Sequence, residues 1–157
     1  MMANYITKDG MRRLRMRMQE LIKERPTVIK QVVTAREMGD LSENAEYHAA
    51  RERQRFLENE FNRLKKRIDQ LQVIDAANIP KDAVRFGARV LVKELKDNSL
   101  RKVQLVGVDE IFESEDKYER ISILSPVGKP MIGKKVGDKF TVIAPIGKRE
   151  FEILEIK

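Results

Sequence analysis

The chain of 157 residues is 36% charged, 41% apolar and only 6% aromatic, with a net charge of +7, a balance that suits one domain or two small ones rich in exposed helix. It has no cysteine and a single histidine, His48, which excludes a disulfide framework, a thiolate zinc site, a cysteine nucleophile and a multi-histidine metal centre. No apolar run approaches a membrane span and the first ten residues carry no signal-peptide core, so a soluble, cytoplasmic protein is expected.

The positive excess is shared along the chain. Residues 1–75 carry 16 Lys/Arg against 12 Asp/Glu, and residues 76–157 carry 16 against 13. Such a surplus fits attraction to nucleic acid or to an acidic protein surface, and equally a set of solvated lysines.

The first half reads as helix. Met11, Leu14, Met18, Leu21, Val28, Val32 and Ala35 recur at alternating spacings of three and four, with only Arg25 interrupting. A second series, Tyr47, Ala50, Leu57, Phe61, Leu64, Ile68 and Leu71, is broken only by Gln54. This is the seam spacing of a coiled coil. The two series mirror each other: Met11 faces Leu71, Leu14 faces Ile68, and every facing pair of numbers adds to 82. The chain therefore folds back at residue 41, with Met38 to Ser42 as the turn of an antiparallel hairpin. Arms of about 30 residues reach roughly 45 Å. Pro26 removes a helical hydrogen bond, and a kink is expected there.

From about residue 76 the pattern changes. Asn78-Ile79-Pro80-Lys81-Asp82 reads as a linker, which divides the chain into a hairpin over 1–76, a linker over 77–82 and a second domain over 83–157. Runs rich in Val, Ile, Leu and Phe at about 86–95, 100–107, 119–124, 139–144 and 149–156 read as strands, separated by turn material such as Asp97-Asn98-Ser99 and Gly137-Asp138. A short helix is predicted over about 127–135, after Ser125-Pro126. The fold class is α+β: an α-helical coiled-coil hairpin followed by a small antiparallel β-sheet domain.

The chemistry concentrates at the turn, Gly39-Asp40-Leu41-Ser42-Glu43-Asn44-Ala45-Glu46. Two readings of it stand side by side. Asp40 can be the N-cap of the second helix with Glu43 reaching back, a capping box that needs no further role. Alternatively the two carboxylates point beyond the coil as hard oxygen ligands suited to Mg²⁺, completing a site supplied by a partner. Arg51 and Arg55, four apart, share a face on which phosphates can rest, or pair with nearby glutamates; Arg36 and Arg53 lie near them. Tyr47 sits on the seam, and His48 reads as a surface residue.

The segment from Gly39 to Arg51 closely resembles the tip of the Gre family of bacterial transcript-cleavage (transcription elongation) factors, and the resemblance extends over the whole chain. Ile6-Thr7, Gln72-Val73-Ile74-Asp75, Phe86-Gly87-Ala88, Ser125-Pro126 and Ile132-Gly133-Lys134 match in order. The GreA branch is nearest; Glu24-Arg25-Pro26, Ser42 and Val106-Gly107-Val108-Asp109-Glu110-Ile111-Phe112 lean toward the GreB branch. The resemblance implies an FKBP-like C-terminal domain that docks on RNA polymerase, through residues such as Ser125, Pro126 and Ile132. It implies a coil that enters the secondary channel, and a tip whose catalytic, metal-handling pair is Asp40 and Glu43. That pair would share Mg²⁺ with the polymerase active site and stimulate cleavage of backtracked RNA. Arg36, Ser42, Arg51 and Arg55 become candidates for contact with the polymerase or the nascent RNA 3′ end. No enzyme activity of its own, no small-molecule substrate and no membrane partner are implied. A channel-binding inhibitor and a coiled-coil adaptor remain as alternatives on the same architecture.

Overall fold

The computed structural model describes residues 2–40, 43–111 and 116–157, and divides into two compact units, Met11–Gln70 on one hand and Met1–Gly10 with Leu71–Lys157 on the other.

The first unit is the expected hairpin. Helix α1 spans Lys8–Arg36, its first three residues belonging to the other unit, and helix α2 spans Ala45–Gln70. Helix α1 runs on through Pro26. The mirrored seam is where burial falls: Leu21, Val28, Leu57 and Leu64 are at most 3% exposed, and Leu14, Val32, Ala35 and Ala50 are buried with them. Burial of each such Leu or Val contributes about 1.5–3 kcal/mol. Two ion pairs cross between the helices, Arg25 to Glu58 and Arg53 to Glu24, both at 2.9 Å. They lie on the surface, where such pairs contribute about 0–1 kcal/mol, so the apolar seam dominates. Arg25, the interruption predicted by the period, is exposed and turned outward to Glu58, while Gln54 is half-buried.

The second unit is built on a five-stranded sheet. Its strands are β3 (Arg89–Glu94), β4 (Leu100–Val106), β5 (Glu119–Ser122), β6 (Lys139–Ala144) and β7 (Gly147–Ile156), in the order β5-β4-β3-β7-β6. All five predicted strands are present, and alternation in β7 sends Phe151 and Ile153 into the core at 0% exposure. One pair departs from an antiparallel sheet: β4 and β5 run parallel, with Val103 opposite Glu119 and Val106 opposite Ser122. The segment between them is long enough to carry the chain back to the starting edge, which a tight hairpin could not do. The predicted helix over 127–135 is only α3, Gly128–Met131. It stops at Ile132, whose ψ of 129° is no longer helical, and the chain turns through Gly133, whose positive φ of 83° glycine adopts without steric cost. Phe140 stacks on Phe151 at 5.3 Å between ring centroids, and Met131, Leu105, Val84 and Ile123 complete the core.

Two short strands stand outside the sequence-based expectation of helix throughout residues 1–76. Strand β1 (Tyr5–Thr7) pairs in parallel with β2 (Gln72–Ile74), Ile6 lying opposite Val73. Three residues are too few to show a period of two. The same region is fastened by Glu110, 2% exposed. Its carboxylate accepts hydrogen bonds from the Thr7 amide at 3.0 Å, the Gly107 amide at 2.8 Å and the Thr7 hydroxyl. Gly10 and Gly107 are glycines for a steric reason: a Cβ on Gly10 would overlap the Glu110 carboxylate, and one on Gly107 would overlap the Tyr5 carbonyl oxygen.

Candidate functional site

The turn between α1 and α2 is organised by a residue that sequence reasoning gave no role. Asn44, not Asp40, is the N-cap of α2. Its Oδ1 accepts from the Tyr47 amide at 3.0 Å, and its own carbonyl accepts the first helical bond from His48 at 3.1 Å. The Asn44 Nδ2 donates at 2.7 Å to the carbonyl of Ala35, in the last turn of α1. One amide side chain thus satisfies an orphan donor at the start of α2. It also gives the Ala35 carbonyl, which accepts from the Met38 amide at 3.1 Å, a second bond that ties the two helices together. An aspartate could supply only the first of these bonds, since an ionised carboxylate has no hydrogen to donate. Helix α1 leaves through Met38, whose amide donates to Ala35, and Gly39, whose φ of 127° lies where a side chain is strained.

The capping-box reading of Asp40 and Glu43 is therefore corrected, because the helix begins at Ala45, two residues beyond Glu43. Both carboxylates sit on the connecting turn, exposed and outside either helix. Among the described residues no three His, Cys, Asp or Glu side chains come together as a metal-binding group. Two hard oxygen donors fit a Mg²⁺ that takes only one or two protein carboxylates and draws its other ligands from elsewhere. Ser42 lies outside the described residues.

The basic residues around the turn are held in different ways. The Arg36 guanidinium lies 5.9 Å from the centroid of the Tyr47 ring, within cation–π range. Arg51 donates to Gln54 at 2.8 Å, Arg55 pairs with Glu52 at 2.7 Å, and Arg53 pairs with Glu24 across the hairpin. Of the two arginines expected to pair with glutamates on a solvated face, Arg55 does so and Arg51 bonds Gln54 instead, and such surface pairs contribute little. Further down the shaft, the hydrogen-bonded Arg63 guanidinium lowers the pKa of Glu60.

In the sheet unit, Ser125 has a structural duty. Its hydroxyl donates to the Ser122 carbonyl at 2.7 Å and accepts from the Gly128 amide at 3.0 Å, closing the loop into α3. Ile132 is half-buried against the core, whereas Pro126 and its neighbour Leu124 are exposed. Elsewhere on this unit a two-pronged Arg149–Glu94 pair, both bonds 2.8 Å, lowers the pKa of Glu94 and raises that of Arg149.

The model of the N-terminal part of transcription elongation factors matches residues 4–73, and the GreA/GreB C-terminal model of the same factors matches residues 79–157. Curated relatives include "Transcription elongation factor GreA" of Thermodesulfovibrio yellowstonii, 43% identical over 96% of this chain and 94% of its own. The protein of the same name from Rhodospirillum rubrum is 43% identical over 97% of this chain and 96% of its own. Among solved structures, GreA factor homologue 1 (Gfh1) of Thermus thermophilus aligns with a TM-score of 0.43 and 24% identity, over 98% of this chain and 97% of that one.

Proposed function

The chain belongs to the GreA/GreB family of transcription elongation factors, and from that premise we propose that its inter-helix turn enters the secondary channel of RNA polymerase and lends two carboxylates to the cleavage of backtracked RNA. The observation that carries this reading is the division of labour at the turn. Asn44 caps α2 and ties the turn to Ala35, so neither Asp40 nor Glu43 serves as the N-cap. They are the side chains to meet a metal shared with the polymerase.

When bound between the turn and the polymerase, Mg²⁺ supplies charge neutralisation and an acidified water for attack on a phosphodiester. Asp40 and Glu43 contribute negative oxygen donors at the tip of a long lever. Neither can hold the ion tightly alone, so the protein has no nuclease activity by itself and acts through RNA polymerase. Arg36, Arg51 and Arg55 balance backbone phosphates of the RNA 3′ segment near the tip. In the sheet unit, the exposed Leu124–Pro126 corner is the docking element, held in shape by Ser125. These duties place the protein in the cytoplasm with the polymerase.

The test uses charge-only substitutions, Asp40→Asn and Glu43→Gln, which preserve size and leave Asn44 in place. Each variant is expected to compete for polymerase as the parent does, yet to lose stimulated cleavage in stalled complexes by at least about tenfold. Raised Mg²⁺ should recover part of the loss. Undiminished cleavage by both variants would refute the metal-sharing role and leave a channel-binding or adaptor protein.

A further inference from the structure

The hairpin carries an apolar groove that the proposed chemistry at its tip does not use. It lies along one flank, midway down the shaft, with a volume of about 630 Å³. Leu21 and Leu57 form its floor, and Ile22, Pro26, Ile29 and Phe61 its walls. Ile22 and Ile29 are 45% and 38% exposed, although a two-helix coil can leave such residues polar at no cost to its seam.

The groove has a sequence cause. At the layer where the seam should place an apolar side chain opposite Leu57, the chain has Arg25, which swings out to Glu58. One layer of filling is therefore missing between Leu21 and Val28. The next residue is Pro26, which has no N–H to give to the Ile22 carbonyl. That carbonyl therefore loses its i+4 helical donor.

Charge decides what can occupy it. Away from the turn, residues 11–36 and 47–70 hold 15 Lys/Arg against 6 Asp/Glu, whereas residues 37–46 hold four acidic residues and no basic one. Lys30 stands on the groove rim, and Arg25 is neutralised by Glu58. A second copy of this chain would bring another strongly positive shaft against the first and be repelled. An elongated apolar channel between two helices is filled by a third helix, whose side chains at i, i+3/i+4 and i+7 reach the floor.

We propose that this groove docks an acidic amphipathic helix of RNA polymerase, its apolar stripe set against Ile22, Ile29 and Phe61 and its carboxylates against the basic shaft. The proposal rests on polymerase being the partner, but on neither the tip carboxylates nor cleavage.

The experiment places a photo-crosslinking benzophenone side chain at position 29 of the full chain, bound to the purified polymerase elongation complex. A parallel control carries it at position 38, where Met38 is 63% exposed beside the turn. The expected result is a protein crosslink at position 29 that maps to a polymerase helix with a net negative charge and an apolar stripe. In competition binding, Ile29→Asp should weaken the complex about tenfold, while Phe56→Asp, on the other flank and 63% exposed, should change it by less than about twofold. Crosslinks at position 29 only to nucleic acid or to a second copy of this chain overturn the proposal, as does silence at 29 with crosslinking at 38. Silence at both positions overturns the polymerase reading and this inference together.

Discussion

The double duty of Asn44 can be measured. Asn44→Ala removes the N-cap acceptor for the Tyr47 amide, a loss of about 1 kcal/mol within a range of 0.5–2. It also removes the 2.7 Å bond to the Ala35 carbonyl, a neutral hydrogen bond contributing about 0.5–1.5 kcal/mol. The two together predict a loss of about 1.5–2.5 kcal/mol, toward the lower end because the Ala35 carbonyl keeps its bond from the Met38 amide. Asn44→Asp separates the halves, because aspartate caps as well as asparagine but cannot donate to Ala35. It should retain the protection of the Tyr47 amide against hydrogen exchange and lose only the second contribution. The assay is urea denaturation followed by helical circular dichroism, with amide exchange at Tyr47 and His48 as the local probe. The stability order should be parent, then Asn44→Asp, then Asn44→Ala. In stalled elongation complexes both variants should bind and cleave less, since the carboxylates are carried on a looser turn. Asn44→Ala within about 0.5 kcal/mol of the parent, with Tyr47 still protected, would refute the assignment of the cap.

Three further outcomes follow from other parts of the molecule. Replacing Arg51 and Arg55 together with alanine should weaken the complex most at low salt and lessen the salt dependence of binding, since each lost phosphate contact lowers the slope by about one; an equal deficit at every salt concentration would assign them to packing. Gly10→Ala should destabilise the sheet unit by about 1–3 kcal/mol in thermal melts, because its methyl group overlaps the Glu110 carboxylate. The paired Arg149 holds Glu94 below the ordinary carboxylate value of 4.5, so between the two values the folded chain binds fewer protons than the unfolded one. That stabilisation is complete above the ordinary value and is lost as pH falls through the depressed one. Glu94→Gln should therefore flatten the acid side of a Tm–pH profile and leave the slope above about pH 6 unchanged.

The hairpin was legible because a coiled-coil seam is a one-dimensional signal. Its period sets which residues are buried, and its mirror symmetry about residue 41 agrees with helices ending at Arg36 and starting at Ala45. The strands were legible for a similar reason, since β-branched runs between turn residues need no knowledge of their neighbours. The pairing of strands was not. The parallel match of β4 with β5, and of Tyr5–Thr7 with Gln72–Ile74, joins segments whose own sequences carry no mark of direction. Glu110 is the plainest case: read alone it is one more charged loop residue, and only packing turns it into a buried acceptor for three donors.

The acidic turn shows the same boundary within eight residues. Sequence alone determined that carboxylates and glycine gather where the chain reverses, because composition and period are local properties. It did not determine which residue caps the second helix. Asp40 and Asn44 are both good caps by type, and the choice depends on a carbonyl nine positions away that only asparagine can reach and donate to. Tertiary structure gave the cap to Asn44, and with it gave Asp40 and Glu43 their place at the tip.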